Sequence, residues 1–313
     1  MAKENKKSGR ISIVIIIILS LLSVGSLVGN YFVYTNFNSK KKALKEFNEE
    51  YDKVKKEYDD KLNEVKEIEE DSKKYEDLDK QISEEQKKYY ATIKKLEDKI
   101  LAKESDKKIA YLTFDDGPYY NTYKVLDILD KYDVKATFFT QSGNGSNCYD
   151  NKKANCYELY KEYAKRGHTI ANHTYTHNIF GGLYNSTAIF MDAIDKQHEH
   201  IKEYSGGYVP NIMRFPGGSV TAGRLKEPII EELRKRGYGW VDWTAQDGDG
   251  GNLSSTTQAW ANFKSSINDN IEVVLFHDYD SRTTAILPDV ITYLQEKGYQ
   301  LFPLFYDSNM INK

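Results

Sequence analysis

The chain has 313 residues, with 44 basic and 47 acidic side chains and a formal net charge of −3. This length exceeds one ordinary domain, and the near-neutral balance excludes a nucleic-acid partner bound through a basic stripe. The charges are unevenly spread, because 38 of them lie in the 66 positions from Lys40 to Ser105, a stretch without Gly or Pro. One fold therefore cannot span the whole chain.

The first apolar segment is an uncharged run from Ile11 to Gly29 that is rich in Ile, Leu and Val. About 20 apolar residues span a bilayer, so we predict a cytoplasmic tail over 1–10 and a transmembrane anchor over 11–33. Basic residues before the run favour an inside N-terminus. The alternative is a cleaved signal peptide, with small residues near a cleavage site. Under either interpretation the rest of the chain is exported.

The charged segment 40–105 carries apolar residues at spacings of mostly three and four, which form a heptad-like seam. This pattern predicts a long helical stalk. A coiled-coil dimer through the seam and a single solvated helix are both compatible with it. The seam positions are Leu44, Phe47, Tyr51, Val54, Tyr58, Leu62, Val65, Ile68, Tyr75, Leu78, Ile82, Tyr89, Ile93, Leu96 and Ile100.

The segment 106–313 has an ordinary globular composition and contains all six prolines. Strands that alternate with helices of about 10–15 residues predict an α/β fold, as a βα barrel or sheet. Active sites of such folds collect in the loops at the carboxyl ends of the strands. The predicted strands are Lys108–Phe114, Lys135–Thr140, Arg166–Ala171 and Ile271–Phe276, and the first predicted helix is Lys124–Tyr132.

Two groups of metal-ligating residue types follow predicted strands. Asp115 and Asp116 end the first strand, and His173 and His177 come just after the third. Two histidines four apart are predicted to share one face of a helical turn and to hold one metal ion. One carboxylate would complete a three-ligand zinc set, and the other would accept a proton from the metal-bound water. A plain turn and two unrelated surface histidines are the alternatives for each group alone.

Two further segments contain candidate catalytic residues. Arg214 begins the sequence Arg-Phe-Pro-Gly-Gly and can orient a catalytic carboxylate through bidentate hydrogen bonds. The N–H of Gly217 in the same segment can stabilise a tetrahedral oxyanion. His277 ends an apolar strand and is a candidate general acid. Taken singly, a Pro-Gly turn and a buried core histidine would explain these segments.

Together and in this order, these segments resemble the polysaccharide deacetylases of carbohydrate esterase family four, from about Ile109 to Phe305. The resemblance implies a distorted (β/α) barrel over 106–313, preceded by the predicted transmembrane helix and the coiled-coil-like helix. The counterparts of the first, second, third and fifth family motifs are Thr113–Pro118, His173–His177, Arg214–Gly217 and Val274–His277.

The resemblance also implies a role for each motif residue. Asp115 becomes the general base and His277 the general acid, with Arg214 supporting the catalytic groups. The implied metal is Zn²⁺ or another divalent ion such as Co²⁺. Its implied ligands are Asp116, His173 and His177.

The fourth motif departs from the family pattern, in which an Asp precedes a Trp. Aligning Trp243 with the Trp that precedes this Asp in the family places Asp249 in the expected position, followed by a glycine. We expect this Asp to pair with Arg214. Asp247 and Asp242 are the alternatives for that pairing.

The activity implied by the resemblance is removal of N-acetyl groups from N-acetylglucosamine residues of a cell-wall glycan. Peptidoglycan is the first candidate, because an anchored stalk directs the domain at the wall. Deacetylation of the exopolysaccharide poly-N-acetylglucosamine is an alternative, and a non-catalytic wall-binding scaffold is another. The expected location is the cell membrane, single-pass, with the catalytic domain extracellular.

Cys148 and Cys156 are the only cysteines, and they lie eight positions apart around a polar loop. In an exported protein an even pair predicts a disulfide that closes this loop. Two free thiols are the alternative.

Overall fold

The structure, a computed structural model, describes residues 49, 52–53, 55–56, 84–119, 121–143, 156–306 and 308. The chain divides into two compact units, 1–70 and 71–313. The predicted anchor over 11–33, most of the predicted stalk and the predicted disulfide lie outside the described residues. Within the described part of the chain, no helix is both long and apolar enough to cross a membrane.

Strands and helices alternate through the second unit. The strands are β1 (Lys108–Asp115), β2 (Thr137–Thr140), β3 (Thr169–Asn172), β4 (Ile212–Met213), β5 (Gly239–Trp240), β6 (Ala245–Gln246), β7 (Ile271–His277) and β8 (Tyr299–Leu301). The α-helices are α1 (Glu84–Leu101), α2 (Thr122–Lys131), α3 (Cys156–Lys165), α4 (Thr187–Ser205), α5 (Lys226–Lys235), α6 (Thr256–Ser266) and α7 (Ser281–Glu296). A π-helical turn spans Ile179–Leu183, and a 3₁₀ segment spans Ser219–Leu225.

The strands form one curled half-barrel in which every pairing is parallel. Their order is β5-β4-β3-β2-β1-β7-β6, and β8 pairs with the first residues of β1. Parallel strands place their carboxyl ends at one edge, and the pairing of β1 with β7 puts Asp115 directly opposite His277. The predicted α/β barrel class is confirmed at this level.

The elements follow from local sequence signals. Strands β1 and β7 are nearly continuous apolar runs that are buried except at Lys108, as expected for central parallel strands. Helices α4 and α6 begin after Ser186 and Ser255, whose side chains accept hydrogen bonds from backbone N–H groups in the first turn. Gly206 ends α4 with a φ of 81°, a conformation that glycine adopts without strain.

Helix α1 packs against the sheet, although it falls within the segment predicted as a stalk. Ile93 and Ile100 are buried in the same cluster as Ile109 of β1. Glu97, also buried, accepts a hydrogen bond from the Tyr111 hydroxyl. Each buried aliphatic side chain contributes roughly 1.5–3 kcal/mol by leaving water. Helix α1 therefore belongs to the same compact unit as the sheet.

Candidate active site

The carboxyl edge of the sheet gathers most of the residues singled out in the sequence. They come from five places along the chain, and parallel strand order brings them together. These residues are Asp115 and Asp116 at the end of β1, His173 and His177 after β3, Arg214 after β4, Asp249 after β6, and His277 at the end of β7.

Asp116, His173 and His177 each offer one ligand atom, and the three atoms lie within 4.8 Å of one another. The Nε2 atoms of His173 and His177 lie 3.7 and 3.6 Å from Asp116 Oδ1. The carbonyl of Arg214 lies 2.9 Å from His173 Nδ1 and orients that ring, so that Nε2 faces the cluster. Burial, helped by the nearby His177, lowers the pKa of His173 to about 3. The ring is therefore neutral at pH 7, which is the form that binds metal.

The backbone around the two histidines differs from the predicted helical turn. Residues 173–178 form an irregular loop, with φ of 64° at Thr174 and 48° at His177. The Thr174 N–H donates to Asn172 Oδ1 at 2.9 Å, and the His177 N–H donates to Thr174 Oγ1 at 3.2 Å. The ring centroids of the two histidines are 4.8 Å apart. The histidines therefore converge through a strained loop, and the predicted helix is wrong.

Asp115 and Arg214 form a fully buried ion pair. One guanidinium nitrogen, NH1, donates to Asp115 Oδ1 and to Thr113 Oγ1, both at 2.8 Å. The guanidinium also lies over the Phe139 ring, 4.2 Å from its centroid. Burial raises the pKa of Asp115, and the positive charge of Arg214 opposes that rise. Asp115 Oδ2 remains directed toward the cluster, 3.6 Å from His173 Nε2.

His277 faces the cluster from the neighbouring strand. Its Nε2 lies 3.7 Å from Asp116 Oδ2, while its Nδ1 lies 2.7 Å from Asp249 Oδ1. Burial disfavours the imidazolium, but the hydrogen bond and negative charge of Asp249 outweigh burial and raise the pKa of His277 to about 9. The site thus combines a carboxylate and a protonated imidazole around one group of metal-ligating atoms. This arrangement suits general acid–base chemistry.

Comparisons with known proteins agree with this geometry. Residues 102–238 match the family model described as polysaccharide deacetylase. The chain is 31% identical over 200 residues to the peptidoglycan-N-acetylglucosamine deacetylase of Bacillus cereus, a match that spans 62% of this chain and 68% of that protein. The chain belongs to the polysaccharide deacetylase family. It is therefore an enzyme of carbohydrate esterase family four.

Two further comparisons extend the similarity. The deacetylase is 30% identical to a chitin deacetylase of Colletotrichum lindemuthianum over 199 residues, which are 60% of this chain and 75% of that one. The crystal structure of the catalytic domain of a peptidoglycan N-acetylglucosamine deacetylase from Eubacterium rectale superposes with a TM-score of 0.59. That match has 34% sequence identity and covers 66% of this chain and 93% of the other.

In the described part of the chain Arg214 does not donate to the carboxylate of Asp249, its expected partner, whereas Asp242, an alternative partner, interacts electrostatically with the guanidinium. The carboxylate that Arg214 binds is Asp115, through one nitrogen rather than a bidentate pair. Asp249 instead accepts from His277, and the carboxylate of Asp242 accepts from the N–H and hydroxyl of Ser219 at 2.9 and 2.6 Å. The other guanidinium nitrogens donate to the backbone carbonyls of residues 241 and 242. The packing of side chains around the guanidinium determines which carboxylate Arg214 binds, and the sequence alone carries no signal for that packing.

The loop after β4 holds Gly217, the predicted oxyanion donor. Its φ is 73°, and an added Cβ would lie 3.1 Å from both Ile179 Cδ1 and Thr221 Oγ1, so the position requires glycine. Among the described residues, no acceptor is bonded to the Gly217 N–H. The N–H therefore remains available to a ligand.

Asp278 is a buried acid that the sequence analysis left without a role. It accepts a hydrogen bond from the Thr122 hydroxyl, and its Oδ2 would lie 2.6 Å from a Cβ added at Gly117. Burial raises the pKa of Asp278 to about 7, despite the Thr122 hydrogen bond. The Asp278 carboxylate leaves no room for a side chain at position 117, in the turn that directly follows Asp115 and Asp116. A carboxylate next to His277 at a strand end is the sequence signal that could have indicated it.

An open cavity of about 440 Å³ is lined in part by Asp249 and Tyr279, two residues that contact His277. Its wall includes Gly250, where the family motif has an aromatic residue, and Tyr279, whose ring centroid lies 5.0 Å from that of His277. An aromatic face beside open polar space suits a sugar ring, which has both apolar and hydroxyl-bearing surfaces. The other lining residues are Asp249, Gly251, Asp280, Ser281 and Arg282.

Proposed function

We propose that this deacetylase is a metal-dependent hydrolase that removes N-acetyl groups from N-acetylglucosamine residues of peptidoglycan. One observation carries the proposal: Asp115 and His277, paired in register on adjacent strands, both face the Asp116, His173 and His177 cluster. A base and an acid on either side of one electrophilic centre are what amide hydrolysis requires.

Asp116, His173 and His177 would hold the metal ion. Two neutral imidazoles and one carboxylate fit zinc, and a three-ligand set leaves a coordination position open. When bound, such an ion acts as a Lewis acid toward a carbonyl oxygen and lowers the pKa of a coordinated water. The hydrogen bond between His173 Nδ1 and the Arg214 carbonyl supports this assignment, because ligating histidines typically have such an outer partner.

Proton transfers are assigned to the two flanking residues. Asp115, whose Oδ1 accepts a hydrogen bond from Arg214, accepts the proton of the attacking water through Oδ2. His277, protonated because its pKa is about 9, donates from Nε2 to the leaving amine nitrogen. The Gly217 N–H stabilises the tetrahedral oxyanion. General acid–base groups of this kind contribute about 10²–10⁴-fold each.

Peptidoglycan is the proposed substrate on three grounds. The relatives from Bacillus cereus and Eubacterium rectale are peptidoglycan N-acetylglucosamine deacetylases. The cavity beside His277 has room for a sugar. The apolar run within 11–33 and the charged segment between that run and α1 support a single-pass membrane protein with an extracellular catalytic domain. A coiled-coil dimer through the seam residues that precede α1 is part of this proposal, because Ile93 and Ile100 of α1 are buried against the sheet.

Acetate release tests the substrate assignment. The purified full chain, supplied with zinc, is incubated with purified sacculi or with poly-N-acetylglucosamine, and acetate is measured over time. We expect the higher kcat/KM on sacculi. A preference for poly-N-acetylglucosamine would redirect the proposal to an exopolysaccharide. No acetate from either polymer, together with failure to bind one zinc per chain, would favour the scaffold alternative.

A further inference from the structure

A second buried carboxylate lies behind Asp249, the partner of His277. Asp247 is fully buried and occupies the same loop as Asp249. Both carboxylates contact one hydroxyl, because Thr283 Oγ1 lies 2.7 Å from Asp247 Oδ2 and 2.8 Å from Asp249 Oδ2. Neither Asp247 nor Thr283 has a role in the proposed chemistry so far.

The side chains of Asp247, Asp249 and Thr283 share a limited number of protons. A threonine hydroxyl has one hydrogen to donate and two lone pairs. If both carboxylates were ionised, the single hydrogen of Thr283 would form a hydrogen bond with only one of them. An oxygen of the other carboxylate would then face the hydroxyl oxygen at hydrogen-bond distance with no hydrogen between them. Such a buried oxygen–oxygen contact without a hydrogen is costly. The geometry therefore requires one more proton, on one of the two carboxyl groups.

The other contacts decide which carboxyl group carries that proton. Asp249 accepts from His277 at both oxygens, with its Oδ2 2.6 Å from the backbone N and its Oδ1 2.7 Å from Nδ1. Asp247 has one further donor in the described chain, the Asp249 N–H at 3.0 Å, which bonds to Oδ1. The carboxyl group that accepts more hydrogen bonds retains the negative charge. The proton therefore resides on Asp247 Oδ2.

We propose that Asp247 is a neutral carboxylic acid that donates to Thr283, and that Thr283 in turn donates to Asp249. In this relay Asp247 and Thr283 are positioning residues, and they act on His277 through Asp249. The relay holds Asp249 in place while keeping a second negative charge away from His277. This inference rests on the proposed function, because it assumes that His277 is the general acid.

The charges that face Asp247 are consistent with a neutral acid. The nearest is Asp249 on its own loop, and its negative charge adds to the effect of burial, so that the pKa of Asp247 rises to about 7. Arg282, at the start of α7, is the nearby cation, but its guanidinium is turned toward Asp280, with an NH2–Oδ2 distance of 2.5 Å. The backbone at Asp247 is also held in place, since Asn262 Nδ2 donates to the Asp247 carbonyl at 2.9 Å.

The test combines infrared spectroscopy with three variants of the full chain supplied with zinc. Asp247→Asn reproduces the neutral acid, because its Nδ2 can donate to Thr283 and its Oδ1 can accept from the Asp249 N–H. Thr283→Val removes the relay hydroxyl at nearly constant volume. Thr283→Ser retains the hydroxyl and is the matched control.

At pH 6 the wild type should show one more C=O band of a protonated carboxylic acid than Asp247→Asn, because Asp278, whose pKa burial raises to about 7, contributes a band to both proteins. Asp247→Asn and Thr283→Ser should keep kcat within about threefold and show an unchanged pH dependence. Thr283→Val should lose roughly tenfold or more in kcat, the effect of one hydrogen bond to a charged group.

The inference is overturned if the difference spectrum between the wild type and Asp247→Asn contains no such band, or if Asp247→Asn shifts the pH profile by a full unit. Should Thr283→Val fail to fold, the spectra of the wild type and Asp247→Asn still decide. The infrared band does not depend on acetate release. A wild type that shows the band but releases no acetate would therefore refute the proposed function and leave the hydrogen-bond relay in place.

Discussion

The carboxylate of Asp249 accepts two hydrogen bonds from the single residue His277, from its backbone N–H at 2.6 Å and from Nδ1 at 2.7 Å. This two-point contact fixes the ring and leaves Nε2 directed at Asp116, 3.7 Å from its Oδ2. Although burial opposes a positive charge, Asp249 raises the pKa of His277 to about 9. A general acid is therefore protonated at neutral pH.

Replacing Asp249 by Asn should shift the pH dependence of catalysis. The variant removes the negative charge that raises the pKa of His277, so the pKa falls and the imidazolium loses its proton at a lower pH. Activity of the wild type should decline as pH rises through about 9, and the decline should begin at least one unit lower in Asp249→Asn. Measuring kcat from pH 5 to 10 checks this. Coincident profiles for the two proteins would contradict the assigned role of Asp249.

Metal binding should depend on His177. We expect one zinc ion per chain in the wild type, removal of activity by a chelator, and recovery on adding zinc. His177→Ala should weaken zinc binding by more than about 100-fold, because it removes one of three ligands. His200→Ala is the control, since His200 packs edge-to-face against Tyr204 outside the cluster. Elemental analysis after dialysis measures the number of zinc ions bound per chain.

Zinc should also stabilise the folded chain. A ligand at 100 times its Kd adds about 2.7 kcal/mol to the free energy of unfolding. The melting temperature of the wild type and of His200→Ala should therefore rise with zinc, whereas that of His177→Ala should not. Equal rises in all three proteins would indicate that zinc binds elsewhere.

Two adjacent glycines provide a matched test of the space beside His277. A Cβ at Gly250 would lie 3.0 Å from His277 Cε1, whereas a Cβ at Gly251 would meet only the Gly248 carbonyl at 3.6 Å. Gly250→Ala should therefore displace the ring and lower kcat by about tenfold, an effect of 1.4 kcal/mol on the barrier. Gly251→Ala should remain near the wild-type rate. Equal rates for the two variants would show that the ring tolerates the added methyl group.

Helix α1 should contribute to the stability of the enzyme domain. Ile93 is buried against the sheet, so Ile93→Ala should lower the free energy of unfolding by about 2–5 kcal/mol. Lys95, exposed on the same helix, is the control, and Lys95→Ala should change it by less than about 0.5 kcal/mol. Urea unfolding monitored by tryptophan fluorescence measures both. A neutral Ile93→Ala would show that α1 does not stabilise the domain.

The sequence predicted the part of the site that depends on topology. Buried apolar runs end at Asp115 and at His277, and parallel strands bring such ends to one edge. It also indicated Asp116, His173 and His177 as a ligand set, because few residue types bind zinc and their order matched a family pattern. These inferences need no knowledge of side-chain packing.

Side-chain packing explains the predictions that were wrong. The partner of Arg214 is decided by which carboxylate lies within reach of a buried guanidinium, and the alignment that favoured Asp249 could not indicate this. The loop carrying His173 and His177 was predicted as helical from spacing alone, whereas positive φ angles bring the rings together. The apolar seam of α1 fits a sheet surface as well as a second helix, so periodicity could not indicate its packing partner.

The most direct test of the central claim is acetate release from N-acetylglucosamine oligomers by the zinc-supplied wild type and by Asp115→Asn. The Asn side chain keeps an oxygen for Arg214, so the fold and the zinc content should persist. We predict measurable acetate from the wild type and a rate about 10²–10⁴-fold lower for the variant, the range expected for loss of a general base. Equal rates for the two proteins, or no acetate from either with zinc bound, would contradict the account.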